Sequence, residues 1–241
     1  MSSAVSGRSA VIVLALAACG AAAPIEFTAS EGDLAASARF EASGGNLVIT
    51  LSNIAATDVF NPQGILTALF FDITGSAPAL SPLSAVVPAG STVAFGGMGP
   101  GNSVGGEWAY RSGLLGAPLG AQYGLSAAGF GLFGPHDIIG GVNLQGPVAP
   151  NGLEYGITSA GDDPTTGNRP VTGTQALIKY KVVFTLSGLP DDFDPSARLT
   201  NVWWQYGTSL SERGLPEPAS AALIVLGAAL ARTRRRRLTS V

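Results

Sequence analysis

Two carboxylate clusters, Asp162-Asp163 and Asp191-Asp192-Phe193-Asp194, are the densest groups in this chain that could do chemistry. Hard oxygen ligands on turns suit Ca²⁺, so Asp191, Asp192 and Asp194 are candidate calcium ligands. Neither cluster follows the helix–loop–helix calcium pattern, because Ser196 stands where that loop from Asp191 would need glycine and no glutamate closes it. Aspartates before proline also cap turns, and that reading competes with the metal. Paired carboxylates also serve glycoside hydrolysis, but adjacent aspartates alternate in direction and say nothing about the separation it needs.

His136 is the only histidine and Cys19 the only cysteine. A Ser-His-Asp triad would have to use His136, with Asp137 too near in sequence to orient it, and no G-x-S-x-G elbow supplies a serine. One histidine and one cysteine also argue against a zinc site. No catalytic residue is therefore expected, and a secreted hydrolase ranks third among the readings. Trp203 and Trp204, with Tyr206 nearby, offer a carbohydrate-stacking face. Neighbouring residues of a strand face opposite ways, so at least one of the two tryptophans belongs to a core.

The elements that would position these side chains read as strands. Asn46 to Leu51 alternates, with Leu47, Ile49 and Leu51 on one face. Ile65 to Ile73 (ILTALFFDI) is a more apolar run, suited to a central strand. Ser84 to Phe95 reads as two short extended pieces around Pro88-Ala89-Gly90, and Gln175 to Leu186 (QALIKYKVVFTL) as the longest strand of all. Leu199 to Tyr206 supplies the last strand. The fold class expected is all-β: an antiparallel β-sandwich with long glycine-rich loops between Gly96 and Gly173, spanning residues 24–213. A polar-Tyr-Gly-x-hydroxyl pattern recurs at Tyr123, Tyr155 and Tyr206 and reads as strand-end chemistry rather than a repeat array.

The termini read differently from this body. Residues 1–22 form a secretory signal helix: Arg8 gives the basic start, Ala10 to Ala18 (AVIVLALAA) the apolar stretch, and Gly20 to Ala22 the cleavage region for a signal peptidase. Leu16-Ala17-Ala18-Cys19 also fits a lipobox, in which Cys19 would become a lipidated first residue. Removal of the signal after Cys19 leaves no thiol, which excludes disulfides and thiol catalysis. The formal net charge of −3 hides an acidic body, because Arg232 and Arg234 to Arg237 hold much of the positive charge at the C-terminus. Such a body has no phosphate-binding face, so nucleic acid is not an expected partner.

Ala219 to Ala231 (ASAALIVLGAALA) is a run of 13 uncharged residues. As a helix it would extend about 20 Å, against a hydrocarbon core of about 30 Å, so it is a short transmembrane helix with a marginal grip. Arg232, Arg234, Arg235, Arg236 and Arg237 would hold the C-terminus on the cytoplasmic side of the inner membrane. Pro216-Glu217-Pro218 lies just outside; its prolines keep the backbone extended, as an exposed tripeptide suited to a protease cleft.

This order of motif, apolar run and terminal arginines resembles the PEP-CTERM sorting signal of bacterial surface proteins. The likeness covers about Leu215 to Arg237, with Leu215 standing where many members have valine. It implies that an exosortase of the inner membrane recognises residues 214–237 through Pro216, Glu217 and Pro218 and removes the tail. It further implies a protein of the cell surface or extracellular matrix, structural or adhesive in a biofilm or polysaccharide layer, with extracellular polysaccharide as a partner. The alternative is a carbohydrate- or calcium-dependent binding module; no other cofactor is expected.

Overall fold

The computed structural model describes residues 22–97, 101–133, 144–145, 152–169 and 171–218. In chain order its strands are β1 (Ile25–Glu31), β2 (Leu34–Ser43), β3 (Asn46–Asn53), β4 (Leu66–Ile73), β5 (Ser81–Val86), β6 (Thr92–Ala94) and β7 (Ala109–Ser112). They continue as β8 (Tyr123–Ser126), β9 (Ile157–Thr158), β10 (Leu177–Lys179), β11 (Lys181–Ser187), β12 (Leu199–Tyr206) and β13 (Gly214–Pro216), with one helical turn, α1 (Pro195–Arg198), before β12.

These strands form two sheets. The first runs β1-β2-β3-β11-β5, and the second β13-β12-β4-β9-β10-β6, with β8 paired to β4 and β7 to β8. Local signals begin the first sheet: the two residues Gly44 and Gly45 link the paired Ser43 and Asn46, with φ of 56° and 76°. That is the backbone a two-residue hairpin requires, and glycine adopts it without steric cost. Pairing is antiparallel as the sequence suggests, except that β9 and β10 run parallel.

The long run at Gln175 to Leu186 is not one strand. It breaks at Tyr180, where φ is 90°, so β10 belongs to the second sheet and β11 to the first. The backbone of Tyr180 itself joins both sides, donating to the Thr158 carbonyl at 3.1 Å and accepting from the Asn53 N–H at 2.9 Å. The two pieces around Pro88-Ala89-Gly90 separate in the same way, β5 to the first sheet and β6 to the second.

One apolar core lies between the sheets. Phe40, Leu47, Ile49, Leu51, Phe184 and Leu186 come to it from the first, and Leu69, Phe71, Ile178, Val202, Trp204 and Tyr206 from the second. Phe40 meets Phe71 edge-on with ring centroids 5.3 Å apart, and Trp108 meets Phe184 at 4.9 Å, geometries that aromatic rings prefer over face-to-face contact. β4 is buried on both faces, as suits the central strand that its largely apolar run predicts. Its second face is covered by part of the glycine-rich stretch: Leu114, Ala117, Ala121 and Phe133 pack on Ala68, Phe70 and Ala109. Part of that stretch is thus a packed lid. The three Tyr-Gly pairs sit at strand ends or starts, with Tyr123, Tyr155 and Tyr206 all buried.

Two substitutions test this packing by chemical denaturation. Phe184→Ala, which empties the centre of the main core, is expected to cost about 3–5 kcal/mol. At Gly124 a Cβ would lie 2.8 Å from the Phe133 ring and 2.9 Å from Leu114 and Phe70, so Gly124→Ala is expected to cost about 1–3 kcal/mol by overpacking the lid. A neutral Gly124→Ala would mean that the lid does not press on β8.

Candidate functional site

The best-defined site is the root of the tail. β13 pairs antiparallel with β12, placing Gly214 opposite Gln205, Leu215 opposite Trp204 and Pro216 opposite Trp203. Glycine is required at 214 because the Trp203 indole lies across it; a Cβ there would come 2.3 Å from Cζ2 and 2.5 Å from Nε1. The Arg213 carbonyl accepts from the Tyr206 N–H at 3.1 Å, and the Glu217 N–H donates to the Val202 carbonyl at 2.8 Å. Backbone groups alternate along a strand, so Pro216 turns its missing N–H outward, where an edge strand tolerates proline.

Side chains pin the turn that leads into β13. Gln205 is wholly buried; its amide accepts from the Trp203 indole N–H at 3.1 Å and donates to the Tyr206 and Ser209 carbonyls at 3.0 Å each. The Glu212 carboxylate accepts the Thr208 and Ser209 N–H groups at 2.7 and 2.9 Å. Arg213 pairs with Asp33 at 2.6 Å and donates to the Glu31 carbonyl at 3.2 Å, tying the turn to the β1–β2 hairpin.

The segment is extended, as expected, but it is not a free exposed tripeptide. Leu215 is 2% exposed and Glu217 8%, while Pro218 is open to solvent. The expectation of full exposure fails because the outer edge of β12 needs a hydrogen-bonding partner and the core beside Trp204 takes a leucine. The boundary drawn at residue 213 therefore cuts through the sheet. The signal helix with Cys19, His136, the apolar run 219–231 and Arg232, Arg234, Arg235, Arg236 and Arg237 all lie outside the described residues.

Trp203 and Trp204 do face opposite ways. Trp204 is wholly buried between the sheets, whereas Trp203 is half-buried against Gly214 and the second core. Much of the ring face that could stack on a sugar is therefore covered. Asp191 and Asp192 are exposed, while Asp194 caps α1, its carboxylate accepting from the Ser196 N–H at 2.9 Å and hydroxyl at 2.7 Å. Those bonds, the hydroxyl first, lower its pKa. Phe193, between them, is buried under the Arg198 guanidinium, 4.7 Å from the ring centroid. Among the described residues no group of three or more His, Cys, Asp or Glu side chains is arranged to hold a metal ion.

The other aspartate pair has a partner that spacing does not reveal. Asp58 and Asp162 both accept the Val59 N–H at 3.0 Å, and Asp58 also accepts the Asp163 N–H at 2.8 Å and the Thr166 hydroxyl. The Lys179 ammonium donates to the Asp162 carbonyl at 2.6 Å. The Thr166 and Asp163 bonds hold the Asp58 pKa down to about 2, whereas burial raises that of Asp162. Of the two, Asp162 is the first to take a proton as pH falls. The pair clamps the loop after β3 to the loop after β9.

Glu107 is a second buried acid that motif reading does not find. It is 6% exposed beside Trp108, and its Oε2 has no hydrogen-bond partner among the described residues. Burial, and then the nearby charge of Glu154, push its pKa up to about 7. Only its place before a core tryptophan hints at this in the sequence.

Comparison with protein-family models, with curated proteins and with solved structures finds no match to this chain.

The raised Glu107 gives a signed pH effect. Between its ordinary value of 4.5 and about 7, the folded protein holds a proton that the unfolded chain has lost. Stability from this group must therefore fall as pH rises through that window and level off above it. Glu107→Gln keeps the shape without the charge. Its melting temperature is expected to exceed that of the parent at pH 8 and to match it at pH 4; an equal gap at both would exclude titration as the cause.

Proposed function

We propose that this chain is an exported surface or extracellular-matrix protein, an all-β sandwich delivered by exosortase-type processing of its tail. Its role is structural or adhesive within a biofilm or polysaccharide layer, and it carries out no catalysis. The observation that carries the reading is the order of the tail: Pro216-Glu217-Pro218, then 13 residues without charge, then the arginines from Arg232 to Arg237. Each part has a physical use. The apolar run halts export in the inner membrane, the arginines fix its direction, and the proline motif marks the site to be processed. Among the described residues the strands run from Ile25 to Pro216, so the last strand of the body reaches the first residue of the motif.

The rival reading, a carbohydrate- or calcium-dependent binding module, draws less support from the geometry. Asp194 already caps a helix and Trp203 already covers Gly214.

The intact mass of the mature protein, recovered from cells that possess an exosortase, tests the sorting reading. A chain that starts near residue 22 and has lost Arg232 to Arg237 is the expected species. A chain that keeps those arginines would be a plain membrane-anchored protein, and the sorting reading would be wrong.

A further inference from the structure

Resting on that sorting reading, we propose that the folded body withholds its own sorting motif, so that the processing enzyme acts on the form in which β13 has lifted away from β12. Trp203 and Asp33, neither of them in the motif, then set how often the tail can be processed.

An enzyme that reads an extended peptide needs its backbone and side chains free. Here the inner edge of the peptide is already occupied, with the Arg213 carbonyl and the Glu217 N–H both bonded to β12. The outer edge offers no N–H at Pro216. Glu217, the one charged side chain of the motif, is 8% exposed and so cannot be gripped while β13 stays paired. Three contacts keep it paired: Leu215 in the main core, the Trp203 ring over Gly214, and Arg213 on Asp33 at 2.6 Å.

Opening need not unfold the body. β13 is only three residues long and lies at the edge of its sheet, so its release is a local event, less costly than global unfolding. Processing would then follow the population of the open edge. The Trp203 contact matters more than the ion pair, because Arg213 and Asp33 are both well exposed and such pairs contribute little.

The test uses the full chain, made in a bacterium that carries an exosortase, and compares it with Trp203→Ala and Asp33→Asn. Both variants leave residues 214–241 unchanged. Processing is followed by intact mass over time, and docking by amide exchange at Leu215 and Glu217 in the unprocessed chain. These two amides are expected to be protected in the parent. Asp33→Asn should speed their exchange and the processing about twofold, and Trp203→Ala about tenfold. If Trp203→Ala fails to fold, Asp33→Asn and the exchange of the parent still decide. Faster exchange with unchanged processing overturns the gate alone, because the enzyme would then act before the body folds. Unprotected amides in the parent also overturn it. Absent processing in every chain, with Leu215 and Glu217 still protected, overturns the sorting reading and the gate with it.

Discussion

β4 is apolar on both faces, and most of the architecture answers the need to cover it twice. Leu69 and Phe71 go to the core between the sheets, while Ala68 and Phe70 go to the opposite side. The first sheet satisfies one face. The other is closed by chain with little regular structure, from Leu114 to Phe133, whose alanines and glycines allow close approach. A polar strand at this position would leave the lid without an apolar floor to pack on.

Covering a sheet with loops brings a second demand, because loop backbone taken out of water must find partners. Uncharged and acidic side chains meet it. Ser126 accepts the Ala128 N–H at 2.9 Å and donates to the Ala128 carbonyl at 2.6 Å. Asn53 donates to the Gly64 and Ile157 carbonyls, at 3.1 Å each, and so joins the turn before β4 and the start of β9 to the end of β3. Asp58 and Gln205 gather several backbone groups apiece. The scarcity of charge in the body thus does not mean a scarcity of polar structure; the polar groups are turned inward onto the main chain.

The elements with local signals were legible in the sequence: β3 from its alternation, β4 from its largely apolar run and β12 from its aromatic cluster. What was not legible depends on contacts distant along the chain. Nothing near Tyr180 announces that a continuous strand-like run will change sheets there, since both halves keep the same residue types. Asp58 and Asp162 are 104 residues apart, more than any spacing rule could connect. The tail motif shows the limit most clearly. Its prolines do dictate extended backbone, but whether extended backbone stays free or joins an edge was decided by Trp203 and the vacancy beside Trp204.

The order of the first sheet has a temporal consequence. β1, β2 and β3 are neighbours in sequence, yet β3 finds its other partner only in β11, where Asn46 lies opposite Ser187. A chain that emerges from its N-terminus, whether from a ribosome or across a membrane, therefore carries a three-stranded ribbon whose β3 edge stays bare until residue 187 has appeared. Closing so long a loop is slow relative to hairpin formation. During that interval the edge of β3 is a template for any other strand, including the β3 of a second emerging chain. Nascent chains that emerge close together would therefore compete with β11 for that edge.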